Sequence, residues 1–203
     1  MHLALVRALG SEPGDPSAWA STAEAQLDRL GDDDADPVAA KELFGKLRSL
    51  DDAGASIRVH GDYHLGQVLR TDNGWFVLDF EGEPARPAGE RQERSSPLKD
   101  VAGMLRSFHY ATELALVEGA GYERDALAPL ASAWEAHNRR AFLDGYLGTE
   151  GVGELLPPDE EGRTTVLSGF ELDKAVYEVL YERDHRPDWI EIPRRAIRRL
   201  THG

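Results

Sequence analysis

The chain contains no cysteine, which excludes a disulfide framework and a thiolate metal site and is compatible with a reducing cytosol. No apolar run approaches the ~20 residues needed to cross a bilayer. The opening residues 1–9 lack the positive start, apolar core and small-residue cleavage site of a signal peptide. They are read as helix, and the expected location is cytoplasmic. Positive charge is scarce: 23 Lys and Arg stand against 37 Asp and Glu, a formal net charge of −14. A surface of that sign offers nucleic acid or an anionic membrane no attraction, so neither is expected as partner. A neutral or small ligand fits better.

What is present suffices for one core. With 203 residues, 41% hydrophobic and 8% aromatic, the chain is too short for two comfortable domains, and a single unit over 1–203 is expected. An opening helix, a break from Gly10 to Pro16, a helix around Ala18 to Leu30 and an acidic link at Asp32-Asp33-Asp34 come first. Asp36-Pro37 restarts helix as N-cap and first-turn proline, with Leu43, Phe44, Leu47 and Leu50 at helical spacing. From Ser56 the character changes. Ile57 to His60 reads as a short strand, and Val68 to Arg70, a turn at 71–74 and Trp75 to Leu78 read as a hairpin.

Glu81 to Ser96 is rich in Gly, Pro and charge and reads as loop. Leu98 to about Glu118 and Asp125 to Leu147 follow as helices, then a loop over 148–162, a helix from Thr164 to Arg183 and a short last one opened by Pro193. The expected fold class is mainly α with one small β-hairpin (α+β).

The chemistry concentrates in His60-Gly61-Asp62-Tyr63-His64-Leu65-Gly66-Gln67 and Leu78-Asp79-Phe80-Glu81. Phosphoryl transfer from ATP needs a carboxylate to receive the proton of the attacking hydroxyl and oxygen ligands to hold Mg²⁺ against the phosphates. An aspartate, an amide side chain five residues on, and a second aspartate at a strand end stand in the order of the kinase catalytic loop and metal motif. A lone His-Gly-Asp is commonly a cap or turn. The pair of motifs twelve residues apart across a hairpin is far more specific.

Three positions depart from protein kinases: Gly61 replaces the loop arginine, Gln67 the metal-binding asparagine and Glu81 the glycine after Asp-Phe. The first and third resemble the aminoglycoside and choline kinase branch. The full strings His60 to Val68 and Phe76 to Pro84 are similar to the maltokinase family.

That resemblance implies a protein-kinase-like carboxy-terminal lobe, with a catalytic loop and metal-motif hairpin over 56–82 between helical segments at 1–55 and 97–203. It makes Asp62 the catalytic base and Gln67 and Asp79 ligands of Mg²⁺, with Glu81 assisting through a second metal or a water. His60 becomes a scaffold residue of the loop, and Asp100 the helix aspartate that clamps the loop from beneath. His64, beside the base, is assigned to substrate. The implied reaction is maltose plus ATP giving maltose 1-phosphate and ADP, feeding α-glucan synthesis.

On the helix from Thr164, the residues Phe170, Lys174, Tyr177 and Tyr181 share one stripe and Leu172, Val176 and Val179 another. An aromatic stripe at this spacing is commonly plain core. The run from Glu171 to Glu182 followed by Arg186-Pro187-Asp188-Trp189, however, also resembles the maltokinase family, in which this helix contributes to the sugar pocket. Lys174 and Tyr177, then Tyr181 and Trp189, are the expected substrate contacts, with Glu178 available to bond sugar hydroxyls. Arg194, Arg195, Arg198 and Arg199 read as a solvated helix face balanced by acids.

The loop over the phosphates and the lysine paired to a helix glutamate have no counterpart before Ser56. The expectation is therefore a chain lacking the amino-terminal lobe: a fragment, a truncated product or half of a split protein. Two alternatives stand beside maltokinase. One is another small-molecule kinase, acting on an aminoglycoside, choline or homoserine. The other is a non-catalytic lobe that binds a sugar or a partner protein.

Overall fold

The structure is a computed structural model and describes residues 1–31, 36–83, 89, 93–118 and 124–202. Helix α1 (His2–Leu9) leads into a short strand β1 (Ser11–Pro13), then α2 (Pro16–Leu30) and α3 (Pro37–Arg48). Asp15 and Asp36 cap α2 and α3, each accepting from backbone N–H groups of the first turn, with proline next in line. That is the arrangement in which proline's missing donor costs nothing. The acidic link at 32–34 and most of the loop after Glu83 lie outside the described residues.

Strand β2 (Ala55–Arg58) precedes the loop, and β3 (Val68–Thr71) with β4 (Gly74–Val77) forms a two-stranded antiparallel hairpin. The sequence predicts this hairpin and a short strand at Ile57 to His60; the structure pairs that strand, as β2, into a second, three-stranded sheet of order β1-β2-β5, where β5 is Arg94–Ser95. Its outer strands have three and two residues, too short to carry a period-2 signal, and Pro13 sits on the edge strand, where no ladder donor is required. Strand β2 stops at Arg58 rather than continuing to His60. The reason is local: the His60 N–H is taken by the Asp100 carboxylate at 2.7 Å instead of by a neighbouring strand.

The body is helical. Helix α4 (Leu98–Glu118) packs on α5 (Arg124–Leu147) and on α6 (Glu160–His185), and α7 (Glu191–His202) closes against α6. Leu172, Ala175, Val176 and Val179 of α6 are fully buried in one cluster with Phe44 and Leu47 of α3, Val101 and Leu105 of α4 and Ile197 of α7.

Helix α6 begins four residues earlier than Thr164 because Asp159 caps it, accepting from the Gly162 N–H at 2.7 Å. Glu160 and Glu161 fall in its first turn, where negative charge favours the helix dipole. The last helix likewise begins before Pro193, which is buried inside the first turn of α7. Within 148–162 a 3-10 turn spans Val152–Leu155. Among the described residues no helix is long and apolar enough to cross a membrane.

Candidate active site

The loop from His60 to Gln67 crosses the top of α4. Gly103 makes the crossing possible: a Cβ there would lie 2.6 Å from the Tyr63 carbonyl oxygen, inside any allowed contact. From beneath, Asp100 receives the N–H of His60 at 2.7 Å and of Gly61 at 2.9 Å, and its Oδ2 also meets His2 Nε2 at 2.9 Å. Burial alone would raise the Asp100 pKa, but His2 and the two backbone donors outweigh it and hold the carboxyl below the ordinary aspartate range.

His60 is fully buried. Its Nδ1 accepts the Asp62 N–H at 3.3 Å, so Nε2 carries the proton and donates to the Leu78 carbonyl at 2.6 Å. One imidazole thus ties the loop to the end of β4, flanked by Phe80 at 4.7 Å between ring centroids.

Leu78 also donates its N–H to the Gln67 carbonyl at 2.9 Å. This pins the chain immediately before Asp79, whose φ of 56° is the one left-handed value at a non-glycine residue among those described. Aspartate accepts that conformation at modest cost. The Gln67 amide and Asp79 Oδ2 lie 3.4 Å apart.

Among the described residues no group of three or more His, Cys, Asp or Glu is gathered as a metal cluster, and Glu81 is exposed. The donor set still fits Mg²⁺. That ion is held by one or two protein oxygens together with waters and phosphates, and a carboxylate beside an amide oxygen provides them once the amide turns its oxygen inward.

Asp62 borders a cavity of about 320 Å³ that His64, Lys174, Tyr177, Tyr181 and Trp189 also line. The substrate-side positions predicted from sequence therefore meet Asp62 around one space. Its far wall is a ladder on α6 and the turn after it: Tyr177 stacks on Tyr181, and Arg186 lies over Tyr181 at 5.5 Å and over Trp189 at 4.3 Å. His64 Nδ1 accepts the Gly66 N–H at 3.0 Å, leaving Nε2 as the protonated nitrogen, 3.8 Å from Asp62 Oδ2. Burial lowers the His64 pKa below the ordinary histidine value, against the pull of Asp62.

One expectation on this face is corrected and one is qualified by a partner. Phe170 does not continue the stripe into the cavity; it is 6% exposed and packs on Trp19 in the core. Glu178 lines the cavity, but its Oε2 is committed to Arg106 at 2.6 and 3.0 Å. Lys174 also differs from a simple sugar contact: its Nζ donates to Asp62 Oδ1 at 2.9 Å and to Glu83 Oε1 at 2.6 Å. Burial would lower the ammonium's pKa, yet Glu83 and Asp62 together raise it above that of a free lysine.

Sequence reasoning missed His2, Glu83, Tyr110 and Arg186. Tyr110 donates to Glu182 Oε1 at 3.1 Å, and Arg186 grips both oxygens of the same carboxylate at 2.7 and 2.8 Å. Tyr110 and Arg106, four residues apart and so on one face of α4, were the available signal. His2 and Glu83 carried none, because their partners lie 98 and 91 residues away.

The chain is 33% identical over 153 residues to a glucosamine kinase of Streptacidiphilus jiangxiensis and 32% identical over 141 residues to one of Mycolicibacterium smegmatis. These matches cover 75% and 68% of this chain and 33% of each relative. A solved glucosamine kinase superposes with a TM-score of 0.83 at 28% identity, covering 98% of this chain and 50% of the other. Another, in complex with glucosamine, ADP and inorganic phosphate, gives 0.82 at 28%, covering 98% and 48%. The chain thus spans about half the length of those solved kinases. The pattern of the Phosphotransferase enzyme family (APH) matches residues 2–132, a stretch that contains the His60–Gln67 loop, Asp79 and Asp100, and the chain belongs to that family.

Proposed function

We propose that this chain is the part of an ATP-dependent sugar kinase that binds the sugar and presents its hydroxyl for phosphorylation. The observation that carries the reading is the meeting of Asp62 with Tyr177, Tyr181 and Trp189 around one cavity of about 320 Å³, at the end of a loop whose Gln67 adjoins Asp79. Aromatic faces cover the C–H sides of a sugar ring, and polar groups between them bond its hydroxyls. Asp62 orients the acceptor hydroxyl and takes its proton as its oxygen bonds to the γ-phosphorus and the bond from that phosphorus to the ADP oxygen breaks, releasing ADP. Gln67 and Asp79, with Glu81 nearby, would hold Mg²⁺, which would neutralise charge on the phosphates of ATP. Asp100 and His60 keep the loop in place.

A hexosamine such as glucosamine is the first choice of substrate, because the similar proteins named above are glucosamine kinases. The motif strings alone support maltose as a second reading. The nucleotide grip is assigned to a separate amino-terminal lobe, in keeping with the half-length match. Calorimetric titration of the chain with glucosamine and with maltose tests the substrate. Binding of glucosamine and not maltose is expected, the reverse would restore the maltokinase reading, and no binding of either would remove the cavity from the sugar site. Phosphate transfer is tested on the chain joined to an amino-terminal kinase lobe. Sugar binding without ATP turnover there would leave a non-catalytic sugar-binding module.

A further inference from the structure

Glu83 is 2% exposed and lies outside the lining of the sugar-sized cavity. It stands behind Lys174, beside a small closed space that Gly61, Tyr63 and Asp173 also border. Lys174 Nζ therefore sits between two carboxylates, Asp62 on the cavity side at 2.9 Å and Glu83 behind at 2.6 Å. We propose that Glu83 and Lys174 are positioning residues for Asp62: Glu83 anchors the ammonium, the ammonium fixes Asp62 Oδ1, and Oδ2 is left as the oxygen presented to an acceptor hydroxyl. The proposal rests on reading Asp62 as the proton acceptor for that hydroxyl.

The physical case is one of competing partners. An ammonium withdrawn from water needs compensating charge and hydrogen bonds. With Asp62 as its sole anion, the flexible lysine stem would let the two groups close on each other anywhere within reach, and Asp62 would have no fixed orientation. A second carboxylate on the far side removes that freedom.

The three groups come from three separate places: the catalytic loop, the segment after β4, and α6. Nζ cannot follow Asp62 toward the cavity without leaving Glu83. The stem is held as well, since Nζ lies 4.9 Å from the Tyr177 ring centroid. Asp62 Oδ2 faces His64 Nε2 at 3.8 Å, beyond hydrogen-bonding distance.

The test reads position rather than turnover and uses the 203-residue chain. The Asp62 carboxyl ¹³C resonance and the Lys174 ammonium ¹⁵N–¹H signal are followed by NMR in the wild type, Glu83→Gln, Glu83→Asp and, as an exposed control, Glu12→Gln, with glucosamine titrated in parallel.

Glu83→Gln is expected to move both signals and to speed proton exchange at Lys174, with glucosamine affinity changing little. Glu83→Asp, which keeps the charge on a shorter arm, should shift both signals by less, and Glu12→Gln should shift neither. Asp62 and Lys174 signals that stay at their wild-type positions in Glu83→Gln overturn the proposal. Should that variant fail to fold, Glu83→Asp decides by the same criterion. A chain that binds no sugar defeats the sugar-kinase reading, while the two NMR signals still decide whether Glu83 positions Asp62.

Discussion

The imidazole of His2 and the carboxylate of Asp100, 98 residues apart in the chain, meet at 2.9 Å beneath the loop that carries Asp62. His2 donates from Nε2 and contacts the Tyr146 hydroxyl through Nδ1 at 2.9 Å. The pair is 4% and 1% exposed. A buried carboxylate with three donors is stabilising because each donor would otherwise lack a partner.

Asp100→Ala strands His2 and the N–H groups of His60 and Gly61, and should cost about 3–5 kcal/mol of stability at neutral pH. Because the folded Asp100 carboxyl is held below its ordinary value of 3.8, its contribution is present above that pH and is lost as pH falls through the folded value. Urea unfolding should therefore show wild type and variant far apart at pH 7 and converging below about pH 4. A separation that stays constant across this range would show that the carboxylate charge is not its source.

For the chain joined to an amino-terminal kinase lobe, Asp62→Asn should lower kcat by about 10² to 10⁴ while sugar affinity changes little. The same change removes one of the two carboxylates on Lys174, so a modest loss of stability is expected with it. Asp79→Asn should abolish Mg²⁺-dependent turnover and leave the unfolding midpoint near that of the wild type, because Asp79 is exposed. Steady-state kinetics with varied Mg²⁺ checks both. A defect confined to KM would make Asp62 a binding residue, and unchanged turnover would take Asp79 out of the metal site.

The legibility of this chain follows the range of its interactions. Helices α2 and α3 announce themselves through Asp15-Pro16 and Asp36-Pro37, since capping is decided within a few residues. The β3–β4 hairpin is equally local, with a turn between β-branched and aromatic runs. The pairing of the three-stranded sheet was not legible, because β5 has two residues and its partners Arg58 and Ile57 lie 36 and 38 positions back. Lys174 shows the other limit. Its helical stripe was readable, but periodicity cannot say that a cation on a stripe faces acids 112 and 91 residues earlier rather than a ligand.

His64 gives a pH prediction with a definite sign. Burial holds its folded pKa below the ordinary 6.5, so it is neutral at pH 7 and becomes protonated only under more acidic conditions. Its contribution to stability is accordingly present above pH 6.5 and is lost as pH falls through the folded value. Long-range ¹H–¹⁵N NMR should find the Nε2–H tautomer at pH 7 and a midpoint below 6.5. A midpoint above 6.5 would mean that Asp62, the opposing influence, outweighs burial.

The hairpin supplies the last prediction. Leu69 pairs across the strands with Phe76, and alternation places both on the face opposite Val68, which packs against the core. A solvent-facing hairpin surface is ordinarily polar. Here Leu69 is 50% exposed, Phe76 48% and the following Leu78 46%, while Trp75 on the other face is 69% exposed. These residues adjoin Gln67 and Asp79, which is where a nucleotide-gripping lobe would sit under the proposed function.

Contiguous apolar surface of this kind drives association when left uncovered. The 203-residue chain, purified alone, is expected to self-associate and to form no sugar phosphate from ATP. Leu69→Ser with Phe76→Ser should shift it toward monomer without lowering the unfolding midpoint, since both side chains are half exposed. Sedimentation velocity over a range of concentrations reads the first effect, and an amino-terminal kinase lobe added in trans should suppress association and restore turnover. A monomeric wild-type chain that phosphorylates sugar on its own would overturn both expectations and would locate the nucleotide grip within the helices of the core.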